Sequence, residues 1–174
     1  CANMILPIYK MGAECLSKVA SAVTEAEFAS VELSEIIANL HDTLVESGGV
    51  GIAAPQVGIS KRILLIEYQQ AKITRYANVG NCPLKIIINP KIEYIGNEYL
   101  AFNEGCLSLP YLRGEVIRHK TIKYQYFDQF GVLCHGEDDG FFARVLQHEL
   151  DHLDGILYPM RMHDISKLAY VDKF

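Results

Sequence analysis

The sequence contains no sustained apolar run. No stretch approaches the roughly 20 apolar residues that a membrane-spanning helix needs. The opening segment, CANMILPIYKMGAECLSKVA, lacks the basic start and unbroken hydrophobic stretch of a secretory signal. Paired cysteines are missing as well. Cys1, Cys15, Cys82, Cys106 and Cys134 are odd in number, scattered and never spaced CxxC, which argues against a disulfide framework and for a reducing cytoplasm. Nor is there an excess of positive charge: 16 Lys and Arg stand against 21 Asp and Glu, a formal net charge of −5. Nucleic acid is therefore not the expected partner. Internal repeats, low-complexity tracts and linkers are also absent. What remains is an ordinary globular composition, 50% hydrophobic and 21% charged over 174 residues. That is enough chain for one sizeable core, read as a single domain over residues 1–174.

Periodicity supplies the elements. In FASVELSEIIANLHDTLVESGG, Leu33, Ile36, Ile37, Leu40 and Leu44 recur at helical spacing and the segment closes on Gly48 and Gly49. KRILLIEY reads as a short buried strand, and LKIIINPKIEYIG as a second one, ended or bent at Asn89-Pro90. The polar stretch QQAKITRYANVGNCP between them reads as a surface loop. RGEVIRHKTIKYQYFDQFGVLCHG alternates across a turn at Asp128 to Gly131, the pattern of an antiparallel hairpin. From Phe141, FFARVLQHELDHL returns to helical period, entered through Asp138, Asp139 and Gly140 and stopped by Asp154-Gly155. Helix, mixed strands and helix in that order favour an α+β fold.

Three stretches carry chemistry. On the last helix His148 and His152 stand four residues apart, so both imidazoles project from one face and can share a metal ion. Glu149 is turned by about 100° from His148 and can serve a water on that metal as general acid/base without ligating it. H-E-x-x-H also occurs in helices whose histidines are merely buried and hydrogen-bonded. Two histidines leave a site underligated. Upstream, NEGCLSLP offers Cys106, which as a thiolate would complete a Cys-His-His set with one position left open; read alone, Cys106 is a small buried hydrophobe. Third, GGVGIAAPQVG (residues 48–58) has small residues that let a ligand approach the backbone and a Gln56 amide able to donate, or it is simply a tight loop.

Taken together and in this order, GVGIAAPQ (Gly49 to Gln56), EGCLS (Glu104 to Ser108) and QHELDH (Gln147 to His152) resemble the three motifs of the peptide deformylases. INP at Ile88 to Pro90, RGEVIR, and GFFARVLQHE are similar too, and the resemblance runs from about Leu33 to Tyr158. Near the N-terminus PIYKMGAECLSKVA stands where many members carry a Pro-Asp-Pro-like stretch, and the tail beyond Tyr158 is brief. The resemblance implies mixed, mostly antiparallel β-sheets around a central metal-binding helix. It implies Cys106, His148 and His152 as ligands of Fe(II), with Zn(II), Ni(II) or Co(II) as replacements. It implies hydrolysis of the formyl group from the formyl-methionine of nascent polypeptides, releasing formate, with Glu149 carrying the proton and the Gln56 side chain and the Leu107 N–H stabilising the oxyanion.

The peptide would lie extended between Val50-Gly51 and Gly105 to Leu107, its methionine in a pocket of Val50, Phe102, Val145 and the His148 ring. Glu104 is expected to pair with Arg113 or Arg144 and fix the Cys106 loop, which puts Glu104 and Arg113 beside the substrate. No membrane or nucleic-acid partner is implied, and ribosome association would be transient. The rival readings are a relative that binds without turnover and a zincin-type endopeptidase, which would leave Cys106 and Gln56 without roles. His41, His119, His135 and His163 read as surface or structural histidines.

Overall fold

The computed structural model describes residues 4–73 and 76–173; Cys1 lies outside them. The first helix, α1 (Val31–Ser47), begins where the Ser30 hydroxyl accepts a hydrogen bond from Leu33 N–H at 3.1 Å. It ends where Gly48 turns left-handed at φ 70°. The strands are β1 (Gly51–Ala53), β2 (Ile63–Tyr68), β3 (Cys82–Cys106), β4 (Leu109–Phe127) and β5 (Leu133–Asp138), followed by helix α2 (Phe141–Leu153) and a short β6 (Ala169–Tyr170). They hydrogen-bond in the order β1-β2-β3-β4-β5, each pair antiparallel, and β6 adds to β4 at Leu112 and Arg113. The α+β expectation holds, with the sheet more uniformly antiparallel than a mixed one.

Strand β2 explains the layering. Successive side chains on a strand point to opposite faces. Ile63 and Leu65 accordingly join Leu33, Ile37, Leu40 and Leu44 of α1, while Leu64 and Ile66 join Val145, Leu146, Leu150 and Leu153 of α2. All four β2 residues are fully buried, which is why the segment reads as a continuous apolar run rather than an alternating one. Truncating one of them to alanine would cost about 2–5 kcal/mol.

Asn89-Pro90 bends β3 without ending it. Asn89 adopts φ 51°, and its side-chain amide pairs with both backbone groups of Val23 at 2.9 Å. The strand slips register there and continues to Cys106. The β4–β5 turn forms where expected: Asp128 Oδ1 accepts from Phe130 N–H and Val132 N–H, and Gly131 takes φ 81°.

Helix α2 is buried on almost every side, at 11 of its 13 residues. The amphipathic reading placed the apolar face correctly, but the polar face carrying Arg144, Gln147 and Asp151 is enclosed too, and its groups are all paired. Asp138 Oδ2 caps the helix from two residues before the N-cap, accepting from Gly140 N–H and Ala143 N–H. The N-terminal segment, where the sequence departs from the family's Pro-Asp-Pro-like stretch, runs across the site's scaffolding. Tyr9 N–H bonds the Gln56 carbonyl at 2.8 Å and Met11 N–H bonds the Ser108 carbonyl at 2.9 Å.

Candidate metal centre and active site

Cys106 ends β3 and is followed by a two-residue turn, Leu107-Ser108, into β4. Helix α2 brings His148 and His152 up against it, their ring centroids 5.2 Å apart. One donor atom from each of Cys106, His148 and His152 lies within 4.8 Å of the other two, a group that could hold one metal ion. Cys106 Sγ stands 3.4 Å from His152 Nε2.

Electrostatics fit a cation there. His148 Nδ1–H donates to Glu104 Oε1 at 2.8 Å, which fixes the ring and leaves Nε2 as the atom to ligate. Burial alone would lower the His148 pKa, yet the facing Cys106 and Glu104 raise it well above its usual range. The ionised Glu104 thus favours positive charge on the His148 side of the cluster. His152 is held well below the usual range by burial and by His148, so it presents a neutral imidazole suited to ligation. Two buried atoms in the cluster, Glu149 Oε2 and His152 Nδ1, have no hydrogen-bond partner among the described residues.

Glu149 is 4% exposed, with Oε1 4.0 Å from His148 Nε2. Burial raises its carboxyl to about 7, where it can both accept and return a proton near neutrality. Its position depends on Gly51: a Cβ there would meet Glu149 Cγ and Oε1 at 3.0 Å. Gln56 sits in a single 3-10 turn (Ala54–Val57) and is 1% exposed. Its Oε1 accepts from Ala53 N–H at 2.9 Å, which fixes the amide so that Nε2 faces Ser108 Oγ at 3.1 Å and Cys106 Sγ at 3.8 Å.

The family model for polypeptide deformylases matches residues 5–168. The chain belongs to the polypeptide deformylase family. Members are metal-dependent hydrolases that remove the N-terminal formyl group from nascent polypeptides. "Peptide deformylase 2" of Pseudomonas putida is 43% identical over 169 residues, covering 97% of this chain and 94% of that protein. "Peptide deformylase 1" of Nitrosomonas europaea is 38% identical with the same coverage. The Met-Ala-Ser-bound crystal structure of a class I type b peptide deformylase from Acinetobacter baumannii superposes with a TM-score of 0.87. It is 36% identical and covers 92% of this chain and all of that one. The deformylase likeness therefore extends well beyond Leu33 to Tyr158, across most of the first thirty residues, and the endopeptidase reading has no support.

A cleft of about 490 Å³ opens from this centre. Val50, Gly51, Glu104, Gly105, Leu107 and Arg113 line it, together with Phe102, Val145 and His148. Sequence reasoning missed two aromatic walls. Phe141 is the first residue of α2. Tyr76 comes from the polar 69–83 loop and packs its ring 4.7 Å from Phe102 and 5.6 Å from Phe141. The loop is organised by Gln70, whose side chain donates to the carbonyls of Ile73 and Tyr76 and accepts from Val79 and Gly80 N–H.

Of the two partners expected for Glu104, one holds. Arg113 does not pair with it; Arg113 donates to the Tyr76 hydroxyl at 2.6 Å and lies over that ring. Arg144 does pair, at 2.7 Å, but the bidentate partner is Arg118, at 2.6 and 3.0 Å. The β3–β4 register brings this about by setting Leu100 opposite Arg118 and Glu104 opposite Gly114. Arg118 also bonds Asp151, which in turn holds Arg161. Burial would push the Glu104 carboxyl up, but His148 and Arg118 outweigh it and hold the group ionised well below the usual carboxylate range.

Proposed function

We propose that Cys106, His148 and His152 hold a divalent metal, assigned as Fe(II) with Zn(II), Ni(II) or Co(II) able to replace it. The observation that carries this is the convergence of the three donors with a buried Glu149 and a fixed Gln56 amide at one end of the cleft. One thiolate beside two imidazoles suits borderline first-row ions, and the choice of iron follows the motif resemblance. When bound, the metal supplies Lewis-acid polarisation and lowers the pKa of a coordinated water.

The chain's own groups do the rest. Glu149 takes the proton of the attacking water and returns it to the leaving amine, the role that its depth and its raised carboxyl support. Gln56 Nε2 and the Leu107 N–H donate to the formyl oxygen as charge develops on it. Glu104 acts as a positioning residue: it fixes His148 through Nδ1 and is itself fixed by Arg118 and Arg144. The formyl-methionyl peptide lies extended between Val50-Gly51 and Gly105 to Leu107, with the methionine side chain against Val50, Phe102, Val145, Tyr76 and Phe141. Arg113 and Tyr76 close the side of that pocket.

We place the activity in the cytoplasm on nascent chains, with transient association with the ribosome. Cys15, Cys82, Cys106 and Cys134 are not joined in disulfides, in keeping with a reducing compartment. No helix among the described residues is long and apolar enough to cross a membrane. The test is formate release from formyl-Met-Ala-Ser, set against cleavage of the unblocked peptide, together with metal analysis of anaerobically prepared protein. Formate release that tracks Fe(II) content is the expected result. Peptide-bond cleavage, or activity without metal, would overturn the assignment.

A further inference from the structure

Tyr111 is built against its own backbone preference. It adopts φ 67°, the left-handed region that bulky side chains avoid. Pro110 precedes it, and a proline followed by a left-handed residue is the sequence of a type II turn, where glycine is the usual occupant. The conformation is imposed from both sides. On the β3–β4 ladder Glu104 stands opposite Gly114 and Cys106 opposite Leu109, so residues 110–113 bulge out opposite Gly105 alone. Strand β6 then ties the far edge of the bulge, pairing Tyr170 with Leu112 and Ala169 with Arg113.

Burial of the ring does not offset this strain, because Tyr111 is 75% exposed. Its ring instead stands at the mouth of the cleft that runs to Cys106, beside Pro110 and Val171. A strained backbone that presents an aromatic ring to solvent beside a binding cleft has its rationale in a ligand.

We infer that Tyr111 is a specificity-determining residue, giving the side chains that follow the methionine an aromatic surface as the peptide leaves the cleft. This rests on the deformylase reading above. An extended peptide advances about 3.3 Å per residue and turns alternate side chains to opposite walls. With the methionine directed into the inner pocket, the next residues are those that reach the rim. A flat aromatic ring flanked by proline and valine favours apolar and aromatic side chains over glycine there.

The test uses the full-length, metal-loaded enzyme with two peptide series, formyl-Met-X-Ser and formyl-Met-Ala-X, where X is Phe or Gly. The quantity read is the ratio of kcat/KM for Phe over Gly. Tyr111→Gly relieves the backbone strain and removes the ring, so folding is not at risk. Tyr111→Ala removes the ring but keeps the strain, and Tyr111→Phe keeps both. Removing the ring should lower the ratio in at least one series by about 3- to 10-fold, the size of an aromatic contact, in the Gly and Ala variants alike, while the Phe variant holds the parent's ratio. Ratios in both series that ignore all three substitutions would overturn the inference. A drop in the Gly variant alone would assign the effect to backbone shape and overturn it as well. Absence of formate release by the parent from every peptide would instead remove the deformylase reading, and this inference with it.

Discussion

Replacing Glu104 tests the centre at its most heavily loaded point. Its carboxylate is 5% exposed and answers three cationic or donor groups: Arg118 through both oxygens, Arg144, and His148 Nδ1. Removing one partner of a buried ion pair typically costs about 3–5 kcal/mol, because a charge is left without compensation in a medium that solvates it poorly. Two residual contacts soften the loss here. Arg118 keeps Asp151 at 3.0 Å, and Arg144 keeps the Val116 carbonyl at 2.9 Å. Glu104→Gln, which retains the shape and one acceptor, should therefore lie near the lower end, about 3 kcal/mol, and Glu104→Ala near about 5 kcal/mol. Either substitution removes the anionic acceptor that orients His148, and loss of such an outer partner weakens metal binding by about 10- to 100-fold. Urea unfolding followed by circular dichroism gives the first number, and chelator competition with Zn(II) gives the second. A double variant, Glu104→Gln with Arg118→Met, should recover part of the stability but none of the metal affinity. If Glu104→Gln unfolds within about 1 kcal/mol of the parent, the cluster is net-neutral and the reasoning fails.

Four further substitutions separate the roles at the site. Cys106→Ser should lower both Fe(II) or Ni(II) content and turnover, since a soft thiolate is lost; full metal content with full activity would contradict its place as a ligand. Glu149→Gln should leave metal bound while turnover falls by about 10²- to 10⁴-fold, and parallel loss of metal would mean that Glu149 helps to ligate. Gly51→Ala pushes a methyl group to 3.0 Å from the Glu149 side chain, so kcat should fall at unchanged metal content, and an unaffected kcat would show that Glu149 can shift freely. Gln56→Ala should cost about 10²- to 10³-fold in kcat on formyl-Met peptides, with a smaller effect on KM; a change in KM alone would make Gln56 a binding residue.

Features with local causes were legible in the sequence. Gly48, Asp128 and Gly131 announce their turns because left-handed and turn conformations are set by the residue itself. The site's principal residues were legible for a related reason: His148, Glu149 and His152 share one helix, and the three motifs are compact. What escaped depends on register and on backbone. Arg118 reaches Glu104 only because β3 and β4 align as they do, and nothing in RGEVIRHK distinguishes Arg118 from Arg113 as its partner. The strap from Tyr9 to Met11 is held by backbone hydrogen bonds, which leave no side-chain signature. Tyr76 was hidden in a loop whose polar composition reads as solvent-facing, although Gln70 folds that loop back and turns the ring toward the cleft. The bend at Asn89 was visible as punctuation. Only the structure distinguished bending from ending, because the Val23 backbone satisfies the Asn89 amide and lets the strand continue.

The enclosure of α2 divides the molecule by mobility. A helix buried at 11 of 13 positions belongs to the part of a fold that opens last, so its amide protons are expected to exchange only with global unfolding. On the reading proposed above, the peptide behind the methionine instead meets exposed edges: the bulge of residues 110–113 and the short β6. Exposed segments with few buried contacts are where a fold yields most readily. Rigidity is thus reserved for the one group that every substrate shares, the formyl-methionine, and compliance for the sequence behind it, which differs from one nascent chain to the next.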